Sequence, residues 1–196
     1  MTTSTGHERR NGAETRAEIL RVALRLFSEK GYEATSTKDL ADALGLTKSS
    51  LYYHFRNKEE IVACLMADRR HDLDGLIEWI TAQPRTPDLA RRAVARWMDG
   101  TTPQHLQAMR LAQANRPLMR RLADGDDVRA AFGRVIDLLA DEDASAQDRI
   151  LLRMTFDTIA AALLATQETD TDPRDVIAAA RRASIALTDA FANRST

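Results

Sequence analysis

Apolar residues recur every three to four positions along the chain, which predicts a succession of helices. The first apolar run extends from Ile19 to Phe27. It follows a Thr-x-x-Glu capping box that starts at Thr15, and Gly31 after it is the predicted C-terminal stop of the helix. This pattern predicts a helix over about residues 16–30. Ala and Leu outnumber Ile and Val more than threefold, and this excess of strong helix formers favours an all-α fold.

Two short helices are predicted after the first. A second capping box begins at Ser36, and the apolar run that follows it ends at Gly45, a residue that tolerates the left-handed backbone of a sharp turn. Thr47 is the predicted N-cap of the next helix, whose apolar anchors are Leu51 and Phe55. Two short helices joined by a tight turn, behind one longer helix, form the helix-turn-helix arrangement in which the last helix enters the DNA major groove.

The polar residues of this third helix suit DNA. Lys48 and Ser49 are predicted to face base edges, because they lie at a helix N-terminus where small and basic side chains approach the groove. Tyr53 and His54 suit phosphates, and Lys58 lies in the first turn of the following helix, where its charge can meet the DNA backbone. Residues 1–58 carry a net charge of +3, whereas the remaining residues carry −4.

Four segments of this region together resemble the N-terminal domain of TetR-family repressors. They are residues 31–36 (GYEATS), 39–41 (DLA), 45–48 (GLTK) and 51–59 (LYYHFRNKE). The resemblance runs from about Thr15 to Ile61 and implies an all-helical homodimer in which a ligand-binding domain controls affinity for an operator.

The resemblance also implies DNA-binding roles for nine residues. It implies contacts with bases or nearby backbone for Thr47, Lys48, Ser49 and Ser50. It implies contacts with phosphates, or bracing of the recognition helix, for Lys38, Tyr52, Tyr53, His54 and Lys58.

Three parts of the chain are predicted. Residues 1–14 are expected to be a flexible arm, residues 15–60 the helix-turn-helix DNA-binding domain, and residues 61–196 a helical domain for effector binding and dimerisation. A long fourth helix from Asn57 is expected to link the two domains and act as the lever of a switch. Turn residues after it predict five or six more helices, or about nine in all.

The last two predicted helices, counted as the eighth and ninth, span about residues 146–168 and 173–192. Each is apolar over a broad face, which fits simple core packing as well as an interface. The resemblance implies that this pair forms a four-helix homodimer interface with its mate. A dimer would set two recognition helices at the spacing of a palindromic double-stranded DNA operator.

A small-molecule effector is expected between the middle helices, where large apolar side chains and a few polar anchors occur together. The same side chains also fit a plain hydrophobic core. The candidate ligand-binding residues are Trp79, Trp97, Met98, His105, Met109, Gln113 and Phe132. Asp68, His71 and Asp72 share a helix face, which we interpret as solvated and not as a metal site.

The sequence contains no catalytic motif, so we expect no catalytic residue, no metal and no cofactor. Its longest apolar run, Ile159 to Ala165, is too short for a membrane span, and the first residues lack the apolar segment of a signal peptide. We therefore expect a cytoplasmic protein without membrane contact. Two alternatives to an effector-released repressor stay open: a DNA-binding regulator controlled by a protein partner, and an activator.

Overall fold

All regular elements in the computed structural model are α-helices; it describes residues 12–122, 127–167 and 169–192. The predicted all-α fold is confirmed, with ten helices in these ranges where about nine were expected. They are α1 (Gly12–Lys30), α2 (Thr37–Leu44), α3 (Lys48–His54), α4 (Lys58–Thr81), α5 (Leu89–Asp99), α6 (Pro103–Ala114), α7 (Arg116–Leu122), α8 (Asp127–Leu139), α9 (Ala146–Ala165) and α10 (Pro173–Ala192).

The chain divides into two units, Met1–Leu65 and Met66–Thr196, with the boundary inside α4. In the N-terminal unit, one face of α1 packs into a small core with α2 and α3. Ile19, Leu40, Leu51 and Phe55 are each at most 2% exposed in this core. The two short helices are held chiefly by these few large side chains, since helices of this length are marginal on their own.

The first helix begins earlier than its capping pattern predicts. Most of the predicted N-terminal arm, residues 1–11, lies outside the described residues, and residues 12–14 form the first turn of α1. Thr15 is therefore inside the helix and not at its N-cap. Glu18 accepts hydrogen bonds from Arg21 at 2.9 and 2.5 Å, an i,i+3 pairing on the exposed side of α1.

The C-terminal unit contains the larger core. Its buried centre includes Val94, Met98, Val135, Leu152 and Ile159, contributed by α5, α8 and α9. The helices meet through these apolar faces, while their charged residues remain toward solvent.

The last two helices pack closely along each other. Ser184 of α10 is fully buried and its hydroxyl donates to the backbone carbonyl of Thr155 in α9 at 2.6 Å. A small side chain at this position lets the two helix backbones approach, and the hydrogen bond satisfies a hydroxyl that is out of contact with water. No helix in the described ranges is both long and apolar enough to cross a lipid bilayer.

Candidate nucleic-acid interface

The turn between α2 and α3 is built from local hydrogen bonds that the sequence encodes. Ser36 caps α2 in a reciprocal capping box with Asp39, and these hydrogen bonds hold the pKa of Asp39 below its ordinary value. α2 ends at Gly45, where the backbone is left-handed with φ of 64°. The Leu46 amide then donates to the Ala41 carbonyl at 2.9 Å, which closes the turn.

The recognition helix α3 begins immediately after this turn. The Thr47 hydroxyl accepts from the Ser50 amide at 3.1 Å, which is the predicted N-cap contact. Leu51 and Phe55 are buried against the rest of the unit. The inner face of α3 is therefore fixed, so its other face is presented to solvent in one orientation.

The outer face of α3 carries the residues that the sequence singled out for DNA. Lys48 and Ser49 are exposed in its first turn, next to the N-cap. Tyr53 is 87% exposed and Tyr52 is 48% exposed, and the Tyr52 hydroxyl lies 3.4 Å from the Thr37 hydroxyl of α2. A basic side chain, hydroxyls and phenols together on one face provide donors for phosphate oxygens and base edges.

The remaining predicted DNA-binding residues differ in how far their side chains are exposed to solvent. Lys38 of α2 and Thr47 are exposed, whereas Ser50 and His54 are half-buried. The ring of His54 lies edge-on to Tyr53, with 5.2 Å between the ring centroids.

Lys58 makes contacts inside the N-terminal unit. Its Nζ donates to the backbone carbonyls of Tyr32 and Thr35, both at 2.8 Å, and lies 4.4 Å from the centre of the Tyr32 ring. These carbonyls belong to the segment between α1 and α2. Of the two roles that the resemblance implies for Lys58, phosphate contact and bracing, this geometry matches bracing.

Arg16 is a second brace, which the sequence patterns did not identify. Its guanidinium donates to the His54 carbonyl at 2.6 Å and to Sγ of Cys64 at 3.0 Å, and lies 4.0 Å from the centre of the Phe55 ring. It therefore caps the C-terminal end of α3. The only sequence signal is a cation on the same helical face as Ile19, where an apolar residue would be expected.

Comparison with known proteins assigns this domain. The family model described as "Bacterial regulatory proteins, tetR family" matches residues 19–65. Residues 19–65 therefore form a DNA-binding domain of the tetR-family type. The chain is similar to the HTH-type transcriptional repressor KstR2 of Mycobacterium tuberculosis, with 40% identity over 70 residues, which is 36% of this chain and 32% of that protein. The match thus spans about a third of the length of such curated relatives.

Solved structures extend the likeness to most of the chain. A transcriptional regulator of the TerR/AcrR family from Aquifex aeolicus has a TM-score of 0.62 and 19% identity, over 86% of this chain and 96% of that one. The TetR-family regulator PfmR of Thermus thermophilus has a TM-score of 0.51 and 26% identity, over 90% of this chain and 94% of that one. The fold of a DNA-binding domain followed by a helical C-terminal domain is therefore shared.

The seven predicted ligand-binding residues of the C-terminal unit differ in burial and in their neighbours. Trp97, Met98 and Phe132 are buried in the core of the C-terminal unit, with Trp97 and Phe132 edge-to-face at 5.4 Å between ring centroids. Trp79 and Met109 pack against this core and are partly buried. These five side chains form one continuous part of the C-terminal unit, and Trp97 also lines an open cleft between α4 and α5.

The two polar candidates for ligand binding, His105 and Gln113, differ in their contacts. His105 is the third residue of α6, where its Nδ1 accepts weakly from the Thr102 amide at 3.4 Å in a capping box. Its Nε2 lies 3.7 Å from a carboxylate oxygen of Asp72. Burial, and then the nearby charge of Arg69, lower the pKa of His105. Gln113 is half-buried near the end of α6.

Proposed function

We propose that this protein is a sequence-specific, DNA-binding transcriptional regulator, acting as a repressor that a small effector releases from a palindromic operator. The observation that carries the proposal is the α3 surface, where Lys48 and Ser49 are exposed beside a capped N-terminus while Leu51 and Phe55 fix the opposite face. A helix held in this way can enter a major groove without losing its own packing. The curated relative KstR2 is named a repressor. Because the proposed partner is chromosomal DNA, we expect the protein to act in the cytoplasm.

The proposed contacts follow the exposure of each side chain. Lys48 and Ser49 read base edges, since they are the exposed residues nearest the N-terminus of α3. Tyr53, being almost fully exposed, donates to a phosphate, as does Lys38 from α2. Thr47, Ser50, Tyr52 and His54 complete the contacted surface, and Lys58 acts on it indirectly by holding the segment before α2.

A homodimer through α9 and α10 is part of this proposal. Ile150, Met154 and Leu164 are 61%, 49% and 62% exposed, and their spacing along α9 places them on one face. On α10, small exposed alanines follow the same helical spacing at residues 179, 183, 186 and 190. Large apolar side chains on one helix and small ones on its neighbour favour a symmetric four-helix contact between two copies of the chain.

The effector would act through the C-terminal unit. Because α4 contributes residues to both units, a ligand that binds one conformation of the C-terminal unit more tightly would shift the population of DNA-competent dimers. By linkage, DNA and effector then oppose each other's binding to the same extent.

Selection of bound sequences from a random duplex pool tests the proposal. The purified full-length protein is incubated with the pool at near-physiological salt, because salt controls the nonspecific part of binding. We expect enrichment of a palindrome whose half-sites lie one or more helical turns apart. Recovery of unselected sequence after several rounds would refute sequence-specific binding by the free protein.

A further inference from the structure

An open cleft of about 660 Å³ lies between α4 and α5 in the C-terminal unit. This volume is in the range of pockets that bind small molecules. Apolar side chains form part of its wall, including Leu76, Ala95 and Trp97. The rest of the wall is charged, which distinguishes the cleft from the apolar core beside it.

The charges that line the cleft are unequal. Arg69, Arg92 and Arg96 contribute three positive charges, whereas Asp72 and Asp99 contribute two negative ones. Asp99 is also paired outside the cleft lining, at 2.6 Å from Arg181. The cleft therefore has a surplus of one positive charge, which suits a monoanion better than a doubly charged phosphate.

Arg69 is a largely buried cation with an incomplete set of partners. Its guanidinium stacks on the Trp97 ring at 3.4 Å from the centroid, and Nη2 donates to the Thr101 hydroxyl at 3.2 Å. Nη1 lies 3.6 Å from an Asp72 oxygen, but in the described part of the chain it has no hydrogen-bond acceptor. The buried indole N–H of Trp97 lacks an acceptor there too. Burial lowers the pKa of Arg69 to about 10, so the group is still charged at neutral pH.

Arg96 is the second cation of interest. It is exposed on α5, lies 5.4 Å from the centre of the Trp79 ring, and has no carboxylate partner among the described residues. Arg92, by contrast, is paired with Asp88 at 3.0 Å. A guanidinium stacked on an aromatic ring keeps its edge available for planar, bidentate recognition of a carboxylate.

We propose that this cleft binds a small monocarboxylate with an apolar body, and that such a compound is the effector class of the regulator. The carboxylate faces Arg96, with Arg69 as the second positive charge, and the apolar body lies along Leu76 and Ala95. The assignment as effector rests on the proposed function. The binding site itself rests on the cleft alone.

Calorimetric titration of the full-length protein tests the site without DNA. The probes are octanoate, hydrocinnamate and cyclohexanecarboxylate, each compared with its primary amide, which has the same shape without the charge. We expect at least one carboxylate to bind about tenfold or more tightly than its amide. Equal affinity of acid and amide for all three pairs, or no binding of any acid, would overturn the proposal.

Substitutions of single arginines test which positive charge binds the carboxylate. Arg96→Gln should weaken carboxylate binding about tenfold and leave amide binding unchanged, and Arg96→Lys should restore part of the loss. Arg91→Gln is the matched control, because Arg91 is an exposed arginine of the same helix that does not line the cleft. If Arg91→Gln weakens binding as much as Arg96→Gln, the cleft is not the site.

Competition with the selected DNA distinguishes the two proposals. A carboxylate that binds and displaces the protein from its operator supports both. Binding without displacement would overturn the effector assignment and leave the site in place. A protein that selects no DNA sequence but binds the carboxylates would refute the proposed function alone.

Discussion

Two lysines of the N-terminal unit illustrate how position decides the role of one residue type. Lys48 extends into solvent from the first turn of α3, whereas Lys58 directs its amine to the Tyr32 and Thr35 carbonyls. A charge in water is available to DNA, and a charge bound to two carbonyls stabilises the segment that carries them. Substitutions of the two residues should therefore have different consequences.

Replacing Lys48 by alanine should reduce sequence preference. If Lys48 reads a base edge, Lys48→Ala loses about 1 to 3 kcal/mol at the operator and less on random duplex. Titration of labelled operator and of a shuffled duplex at several salt concentrations measures both affinities. Lys30→Ala, at an exposed lysine at the end of α1, is the control. Equal losses on both duplexes would show that Lys48 contacts only the DNA backbone.

Replacing Lys58 by methionine should reduce stability. The substitution keeps an unbranched side chain of similar length but removes two charge-assisted hydrogen bonds, and we expect a loss of about 1.5 to 3 kcal/mol in the free energy of unfolding. Urea denaturation followed by circular dichroism measures this loss, with Lys38→Met as the exposed control. An unchanged stability together with a reduced salt slope of DNA binding would instead assign Lys58 to a phosphate.

At this scale, the sequence identifies exposed residues of α3 well. It identifies poorly the side chains that stabilise the N-terminal unit through contacts with distant backbone carbonyls. Lys48 and Ser49 can be recognised in the sequence because the neighbouring residue Thr47 caps the helix that they begin. Arg16 contacts the carbonyl of His54, 38 residues away, and nothing near Arg16 in the chain encodes this distance. Contacts between residues so far apart in the chain can be identified only from the folded structure.

At the scale of elements, local capping explains which predictions agree with the structure. The starts of α2, α3 and α9 follow from Ser36, Thr47 and Ser145, each of which caps its helix as the pattern indicates. α6 also has a capping box, but its third residue is His105 where the usual pattern has Glu or Gln. The sequence predicts His105 only as a ligand-binding residue, and the structure shows that it also belongs to a helix cap.

The position of His105 predicts a pH effect on stability. The pKa of His105 is lower in the folded protein than the ordinary value of 6.5, because of burial and of Arg69, against the opposing charges of Asp72 and Asp68. Between these two pKa values the unfolded chain binds more protons, so stability falls as pH decreases from neutral through about 6.5. Thermal unfolding between pH 7.5 and about pH 5.5 should show this decrease.

The variant His105→Gln isolates this effect. Glutamine keeps a side chain at the third position of α6 that can complete the capping box, but it does not titrate. We expect its melting temperature to fall less than that of the wild type over the same pH range. His71→Gln, at an exposed histidine of α4, should keep the wild-type pH dependence. A variant His105→Gln with the wild-type slope would mean that another group is responsible.

For the molecule as a whole, the sequence predicted a DNA-binding part and a larger helical part, and the structure has two units with a boundary after Leu65. The family model matches residues 19–65, which lie in the first unit, so no family motif was available to interpret the residue patterns of the second unit. Tryptophan and methionine suggested a pocket there, yet the same residues build the core. The charged cleft was not predicted, because Arg69 and Arg96 are 27 residues apart in the chain and line the same cleft only in the folded C-terminal unit.

The proposed dimer is a property of the whole molecule, and the proposed tight binding to a palindrome depends on it. Met154 and Leu164 place large apolar surfaces in solvent on one face of α9, an arrangement that a second copy of the chain would cover. We expect the wild type to sediment as a dimer at micromolar concentration, and the double variant Met154→Glu, Leu164→Glu to sediment as a monomer with a native helical spectrum. Val128→Glu is the control, since Val128 is 52% exposed on α8.

The same variants then connect assembly to DNA binding. A monomer contacts one half-site at a time, so it loses the advantage of holding the second recognition helix at high effective concentration. The double variant should therefore bind a full palindrome little better than an isolated half-site, whereas the wild type and Val128→Glu should strongly prefer the full site. A monomeric variant that still prefers the full palindrome would mean that DNA itself assembles the two copies. A double variant that remains dimeric would place the interface on a different face.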